Sequence, residues 1–201
     1  ETVNVQISNS SDTDVSITTA NASADISDND TADADLSVTV HGNEAGPVDI
    51  VYTVSLTAVN STGSPITFDF NDLLTGTASS GNDYTAIPGG SQIYVANGSN
   101  SGIFTIPVSD DGLFEATETI NCRIGNPSNT FVTITTALAS SNIEDNETVD
   151  ADLSVATQGN ENGPVNIEYS VTLSLTNNTG SNISFNFTDL LTGTATSTLD
   201  Y

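Results

Sequence analysis

The stretch that decides the fold is ETINCRIG at residues 118–125, in which polar and apolar residues alternate. Ile120, Cys122 and Ile124 share one parity, and side chains two residues apart point to the same face of a β-strand. The alternation therefore predicts a strand with one buried face. Glu118 continues the buried parity at the start of this strand. A carboxylate in a core-facing row is costly unless something compensates its charge.

The same alternation recurs along the chain, bounded by Gly, Asn, Asp and Pro residues that are typical of turns. It predicts seven strands in the central part of the sequence, at residues 34–40, 47–58, 65–71, 91–95, 102–109, 117–125 and 131–143. No segment of useful length has helical periodicity. Seven short strands in about 115 residues predict an all-β fold, an immunoglobulin-like antiparallel β-sandwich.

The sequence also contains an internal repeat. DNDTADADLSV at 28–38 recurs as DNETVDADLSV at 145–155, an offset of 117 residues (145 − 28). At this offset the overlap is 84 residues (201 − 117), and 51 of these positions are identical without any gap. We therefore predict a tandem array. In it, 1–27 are the last strands of a preceding repeat, 28–145 are a complete repeat, and 146–201 are the first strands of the following repeat.

The strand phases bring acidic residues to one pole of the predicted sandwich. Asp110 follows the buried parity of the fifth strand, Glu44 precedes that of the second, and Asp145 follows that of the seventh. If successive strands run up and down, these residues, Glu118 at the start of the sixth strand and Asp83 in the loop after the third strand share a pole. Several carboxylates are thus expected to converge.

Composition indicates what could neutralise these acids. The chain has 26 Asp and Glu residues, one Lys or Arg, and a net charge of −25. No basic side chain is available to pair with the cluster, so a hard divalent cation with oxygen ligands fits best. Ca²⁺ is favoured because it accepts about six to eight oxygens in irregular geometry. The alternative is a set of solvated loop acids that maintain solubility.

The same charge balance excludes several partners. Nucleic acid binding requires a basic footprint, and adsorption to an anionic membrane surface does as well. We also expect no direct membrane insertion, because the sequence has no apolar run of transmembrane length. The single cysteine, Cys122, cannot form an internal disulfide. It stands where the first copy has Val5, so we predict a small apolar core residue.

Four motifs in the central repeat resemble the Calx-beta domain. They are GNEAGP at 42–47, GTASSGNDY at 76–84, IPVSDDGLFEATETINCRI at 106–124 and NIEDNE at 142–147, which together span the repeat in order. The resemblance implies a cluster of calcium ions at one end of a seven-stranded sandwich. Matched position by position, it implies the ligands Glu44, Asp83, Asp110, Asp111, Glu115, Glu118, Asp145, Asn146 and Glu147.

The sequence departs from that family pattern at two positions. Gly112 stands where a third acid of the segment between the fifth and sixth strands often occurs in the family. Asn146 replaces an acid of the group that follows the last strand. Both changes reduce the negative charge, which predicts fewer ions or weaker binding. The side-chain carbonyl of Asn146 can still coordinate calcium.

Two other readings of the acids are weaker. DNDTADAD at 28–35 does not meet the EF-hand pattern, because Asp33 and Thr39 occupy the places that require Gly and Glu. A glycosidase also uses paired carboxylates. The chain has no Trp and no insertion long enough to form a cleft, so we predict a protein that is not an enzyme. His41, which is Gln158 in the next copy, is expected to have a structural surface role.

Tandem arrays of such domains are similar to the stalks of large bacterial surface adhesins, and the Asn, Ser and Thr richness is similar to gliding-motility adhesins. We therefore predict an extracellular or cell-surface structural repeat in which Ca²⁺ braces the junction between neighbouring repeats of the same chain. One alternative is an adhesive module that binds a glycan, ice or a protein, as a cell-surface or substratum ligand. Another is a calcium sensor, which near-identical repeats disfavour.

Overall fold

The computed structural model describes residues 1–163, 165–197 and 199–201. Its strands are β1 Thr2–Gln6, β2 Asn21–Asp25, β3 Ala32–Val40, β4 Gly42–Asn43, β5 Ile50–Leu56, β6 Ile66–Asp72, β7 Gln92–Val95, β8 Ser101–Ile106, β9 Glu118–Gly125, β10 Val132–Thr136, β11 Leu138–Glu144, β12 Ala151–Thr157 and β13 Glu168–Leu173. The all-β prediction is confirmed. None of the described residues form a helix with the length and apolar character needed to cross a lipid bilayer.

The central part of the chain folds as two packed sheets. One has the strand order β10-β3-β5-β8 and the other has the order β4-β11-β9-β6-β7. Alternate residues of both sheets point inward, and Tyr52, Phe68 and Phe70 are fully buried between them. The hydroxyl of Tyr52 in β5 donates a hydrogen bond of 2.9 Å to the carbonyl oxygen of Ile120 in β9. The predicted sandwich is therefore present, and a buried hydrogen bond ties its two sheets together.

The first and last strands of the sandwich each continue in the other sheet, β3 as β4 and β10 as β11. Strand 131–143 divides at Ala137, so that β10 lies parallel to β3 and β11 lies parallel to β4 and antiparallel to β9. A register shift between Ile134 and Thr136 accompanies this change. The sheets are consequently mixed, with two short parallel pairings added to the antiparallel ladders. The buried parity changes with the crossing, from Val132 and Ile134 in β10 to Ser141 and Ile143 in β11, and no Gly or Pro marks the point of change.

The residues outside the central sandwich form two small hairpins. β1 pairs with β2, and β12 pairs with β13. Val5 is 57% exposed whereas its equivalent Cys122 is fully buried, and Tyr169 is 51% exposed whereas its equivalent Tyr52 is fully buried. The same sequence pattern thus buries its apolar face only where a second sheet covers it. The repeat boundaries after residues 27 and 145 stay a prediction.

Gly76 lies where the loop after β6 crosses the start of β9. A Cβ atom at this position would overlap the carbonyl oxygen of Thr119. That oxygen accepts a hydrogen bond of 3.1 Å from the amide of Ala78. The close approach therefore fixes the path of the loop that leads to Asp83.

We expect Gly76→Ala to lower the free energy of unfolding by about 1–3 kcal/mol, because the backbone of β9 cannot move aside cheaply. Urea denaturation would measure the change. Gly89→Ala is the matched control, since a Cβ at Gly89 meets no atom within 4 Å. Equal stability of the two variants would contradict the expected crowding at Gly76.

Candidate metal centre

The first group of acids forms where β4 and β11 end side by side. The two strands pair in parallel with Asn43 opposite Glu144, and the amide of Glu44 donates a hydrogen bond of 3.0 Å to the carbonyl of Glu144. The next residues along the chain, Glu44 and Asp145, are therefore neighbours. Together with Glu147 they offer one ligand atom each, and these atoms lie within 4.8 Å of one another.

A tight turn holds Glu44 against the core. The amide and carbonyl of Asn43 both pair with Val48, at 3.2 and 2.7 Å, and Gly46 adopts a φ of 73° that favours glycine. The side-chain amide of Asn43 donates a hydrogen bond of 2.9 Å to Glu144 Oε2, which keeps that exposed carboxylate away from the group. Glu44 is only 4% exposed as a result.

The second group consists of Asp83, Glu115 and Glu118, whose ligand atoms also lie within 4.8 Å of one another. Glu118 is the first residue of β9. Asp83 is fixed by the loop before it, because its amide donates to the carbonyl of Ser79 at 3.1 Å and the Ser79 amide donates to its carboxylate. Its carbonyl accepts a hydrogen bond of 2.9 Å from the amide of Ser109, beyond the end of β8.

The remaining predicted residues lie around these two groups. Asn146 donates a hydrogen bond of 3.1 Å from its side-chain amide to Asp110 Oδ1. Asp111 Oδ1 accepts a hydrogen bond of 2.8 Å from the amide of Leu113, within the loop between β8 and β9. The structure thus brings all nine residues to one pole: six form the two groups, and Asp110, Asp111 and Asn146 surround them. Their role as metal ligands stays a prediction.

Burial and neighbouring like charges raise pKa values in both groups of acids. Burial, followed by the charges of Asp111 and Asp145, raises the pKa of Glu44 to about 7. Burial and a hydrogen bond with Asp83 raise the pKa of Glu118 to about 8. Both carboxyls therefore resist ionisation because water is excluded and like charges surround them.

No basic side chain relieves this repulsion. The only Lys or Arg of the sequence is Arg123. It lies in β9 on the parity opposite to that of Glu118, and its side chain is exposed. The cluster therefore depends on protons or on bound cations for its neutralisation.

The hydrogen bonding of three oxygens in the first group indicates whether these residues fit a metal ion. Glu44 Oε2, Asp145 Oδ1 and Glu147 Oε2 are buried and have no hydrogen-bond partner among the described residues. Buried polar atoms in folded proteins almost always have a partner. A donor set made of carboxylate oxygens matches a hard divalent cation. The residues present fit such an ion, and both groups could hold one.

Sequence reasoning identified the acids but missed the groups that orient them. Asn43 positions Glu44 and diverts Glu144, and Ser79 fixes the carboxylate of Asp83. The signal for Asn43 was the tripeptide GNE, which recurs at 159–161 in the next copy. Cys122 is fully buried, as its Val counterpart predicted. His41 is exposed, and its Nδ1 accepts a hydrogen bond of 3.2 Å from the amide of Asn142.

No protein-family model matches the chain, and no curated protein matches it. Among solved structures, the chain is similar to the apo form of the Calx CBD1 domain, with a TM-score of 0.47 and 24% identity over 59% of this chain and 100% of that domain. It is also similar to CBD12 from CALX1.2 (TM-score 0.45, 23% identity, 55% of this chain) and to the calcium binding domain CBD12 of CALX1.1 (TM-score 0.44, 21% identity, 55% of this chain). The chain spans 44% of the length of each CBD12 structure.

Proposed function

We propose that the central repeat is a non-enzymatic, calcium-binding structural repeat of a secreted or surface-anchored adhesin stalk. The observation that carries this proposal is the set of three buried, unpartnered carboxylate oxygens on Glu44, Asp145 and Glu147. Calcium is the preferred ion because the site offers only oxygen donors at irregular positions. Ca²⁺ accepts about six to eight such ligands, whereas Mg²⁺ requires near-octahedral geometry.

The position of the first group supports a role at the junction between repeats. Asp145 and Glu147 belong to the segment that leads from β11 to β12, and three residues separate Glu147 from Ala151. An ion bound by Glu44, Asp145 and Glu147 would tie this segment to the central sandwich. It would thereby restrict the rotation of the following repeat, whose first strand begins immediately afterwards.

The adhesin context rests on the sequence. Gap-free tandem copies and a net charge of −25 with almost no basic residues suit an extended, soluble stalk outside the cell. Extracellular calcium modules commonly have dissociation constants of about 10⁻⁴ to 10⁻³ M, which suffices for permanent occupancy there. A calcium sensor would instead respond at micromolar calcium, so a titration distinguishes the two roles.

A second candidate, an adhesive surface, is favoured by the outward face of the four-stranded sheet. This face carries exposed hydroxyls at Thr39, Thr105 and Thr133. The hydroxyls of Thr39 and Thr53 lie 2.9 Å apart on neighbouring strands. Exposed hydroxyls on one sheet face suit a glycan or ice as ligand. Binding of either by the chain, lost on replacing Thr39 and Thr133 with bulky residues, would support this role.

Glu44→Gln tests the calcium site. We expect it to weaken calcium binding by about tenfold or more in calorimetric titration, because one ligand loses its charge. In EDTA at pH 8 it should raise the free energy of unfolding by about 1–3 kcal/mol, since at that pH it removes a buried charge that faces other acids. If Glu44 had only a structural role, the substitution would not both raise the free energy of unfolding in EDTA and weaken calcium binding.

Glu144→Gln is the matched control. It removes the same charge from the exposed residue that precedes Asp145, and the glutamine can still accept the hydrogen bond from Asn43. We expect little change in calcium affinity. Equal effects of the two substitutions would show that general charge reduction, and not coordination by Glu44, governs binding.

A further inference from the structure

The acidic loop, residues 110–117 between β8 and β9, contacts the segment that follows the central repeat. Phe114 lies in this loop and forms an isolated parallel β-bridge with Asn177. The amide of Asn178 donates a hydrogen bond of 3.0 Å to the carbonyl oxygen of Phe114. Asn177 and Asn178 lie four and five residues beyond the end of β13 at Leu173. The pole that carries the acids is therefore joined to the next repeat by main-chain atoms as well as by covalent continuity.

The turn that contacts Phe114 has an equivalent in the central repeat. NNTGS at 177–181 corresponds to NSTGS at 60–64 at the offset of 117. In each turn the side-chain amide of the first Asn donates to the carbonyl of the final Ser, at 2.7 and 2.9 Å. In each, the Asn Oδ1 accepts a hydrogen bond of 3.1 Å from the Thr amide. The two turns are thus built in the same way.

In the central repeat, the main chain of this turn forms hydrogen bonds along one edge, and the other edge has no described hydrogen-bond partner. The amide of Asn60 donates to the carbonyl of Ser99 at 2.8 Å, and its carbonyl accepts from the amide of Gly98 at 2.7 Å. Neighbouring residues of an extended chain direct their amides to opposite sides. The amide of Ser61 makes no hydrogen bond to any residue that the structure describes. Ser61 is the equivalent of Asn178, whose amide contacts Phe114.

We propose that this turn, residues 60–64 and its equivalents, is the docking surface for the acidic loop of the preceding repeat. The occupant is another repeat of the same chain. The free edge of a complete repeat is the edge that the acidic loop uses on residues 177–178, so docking is compatible with the internal pairing of Asn60 with Ser99 and Gly98. Successive repeats then stack with the acidic pole of one repeat against the opposite pole of the next.

Metal binding would control this docking. Glu115 follows Phe114 directly and Asp111 lies three residues before it, so an ion that holds these acids fixes the backbone that presents the Phe114 carbonyl. This part of the inference rests on the proposed calcium-binding function. The docking contact itself rests on the bridge between Phe114 and Asn177 and does not require that the ion be calcium.

The test uses the complete 201-residue chain and amide hydrogen exchange resolved by NMR. We expect the Asn178 amide to exchange about tenfold more slowly in calcium than in EDTA, as for one added hydrogen bond. Calorimetric calcium titration of the same sample runs in parallel. Calcium binding without protection of Asn178 would overturn docking and leave the proposed function intact. Protection of Asn178 without calcium binding would overturn the proposed function and support docking.

Two proline variants provide the matched comparison. Asn178→Pro removes the donor that reaches Phe114, whereas Ser61→Pro removes the equivalent amide, which has no described partner. Both place proline after an asparagine at the same point of the same turn. We expect ¹⁵N relaxation to show β12 and β13 moving independently of the central sandwich in Asn178→Pro, and with it in Ser61→Pro. Identical relaxation in both variants would overturn the docking surface.

Discussion

Saturating calcium is expected to raise the midpoint of thermal unfolding by about 10 °C over the midpoint in EDTA. An ion that binds only the folded chain stabilises it by about 2.7 kcal/mol at a concentration 100 times its dissociation constant. For a domain of this size, each kcal/mol shifts the midpoint by about 4 °C. Each of the two groups of acids could hold one such ion, and occupancy of both would increase the shift further.

Differential scanning calorimetry would measure this effect at matched ionic strength. Sodium chloride alone also screens the repulsion within a chain of net charge −25, so the EDTA sample must contain equivalent salt. Magnesium is the informative second control, because it requires near-octahedral geometry and keeps several of its waters. A midpoint that does not differ between calcium and EDTA would contradict the calcium brace.

In EDTA, the free energy of unfolding is expected to fall as pH rises from about 5 to 8. Burial and neighbouring acids raise the pKa of Glu44 to about 7 and that of Glu118 to about 8. Between the ordinary pKa of a glutamate and these values, the folded chain binds more protons than the unfolded chain. Stability therefore declines with pH in this interval. For Glu44 alone the loss amounts to about 3 kcal/mol at the upper end.

Urea denaturation in EDTA at several pH values would measure this decline. Calcium should reverse it at pH 8, because the ion stabilises the ionised carboxylates that repel one another in its absence. Glu44→Gln should flatten part of the profile, and Glu144→Gln should leave it unchanged. Stability that increases from pH 5 to 8 in EDTA would contradict the buried, uncompensated state of Glu44 and Glu118.

The convergence of the acids was predictable because it depends on strand parity and direction. Glu118 continues the buried row of β9, and that row is visible in the alternation of the sequence. The position of Asp83 could be predicted from the direction of the strands, because the loop that carries it lies at the same pole. The sandwich followed from the same periodicity, since each alternating segment must bury one face against another layer.

Other features depend on tertiary geometry that local pattern does not encode. The crossing at Ala137 shifts the buried parity from even to odd positions without any Gly or Pro to mark it, so β10 and β11 are predicted as one strand although they belong to different sheets. The contact between Phe114 and Asn177 joins residues 63 positions apart (177 − 114) through main-chain atoms, which every sequence offers equally. Hydrogen bonds that orient a carboxylate, as from Ser79 to Asp83, likewise depend on the folded path of the loop.

The parallel pairing of the first and last strands of the sandwich has a mechanical consequence. The chain enters the central repeat through β3 and leaves it through β11, at opposite poles. Tension along such a chain pulls β3 and β10 lengthwise past each other, and β4 and β11 likewise. Main-chain hydrogen bonds between strands loaded in this direction share the force simultaneously, whereas strands pulled apart from one end would yield bond by bond. A fibre assembled from these units would thus resist stretching through the same ladders that close each sandwich.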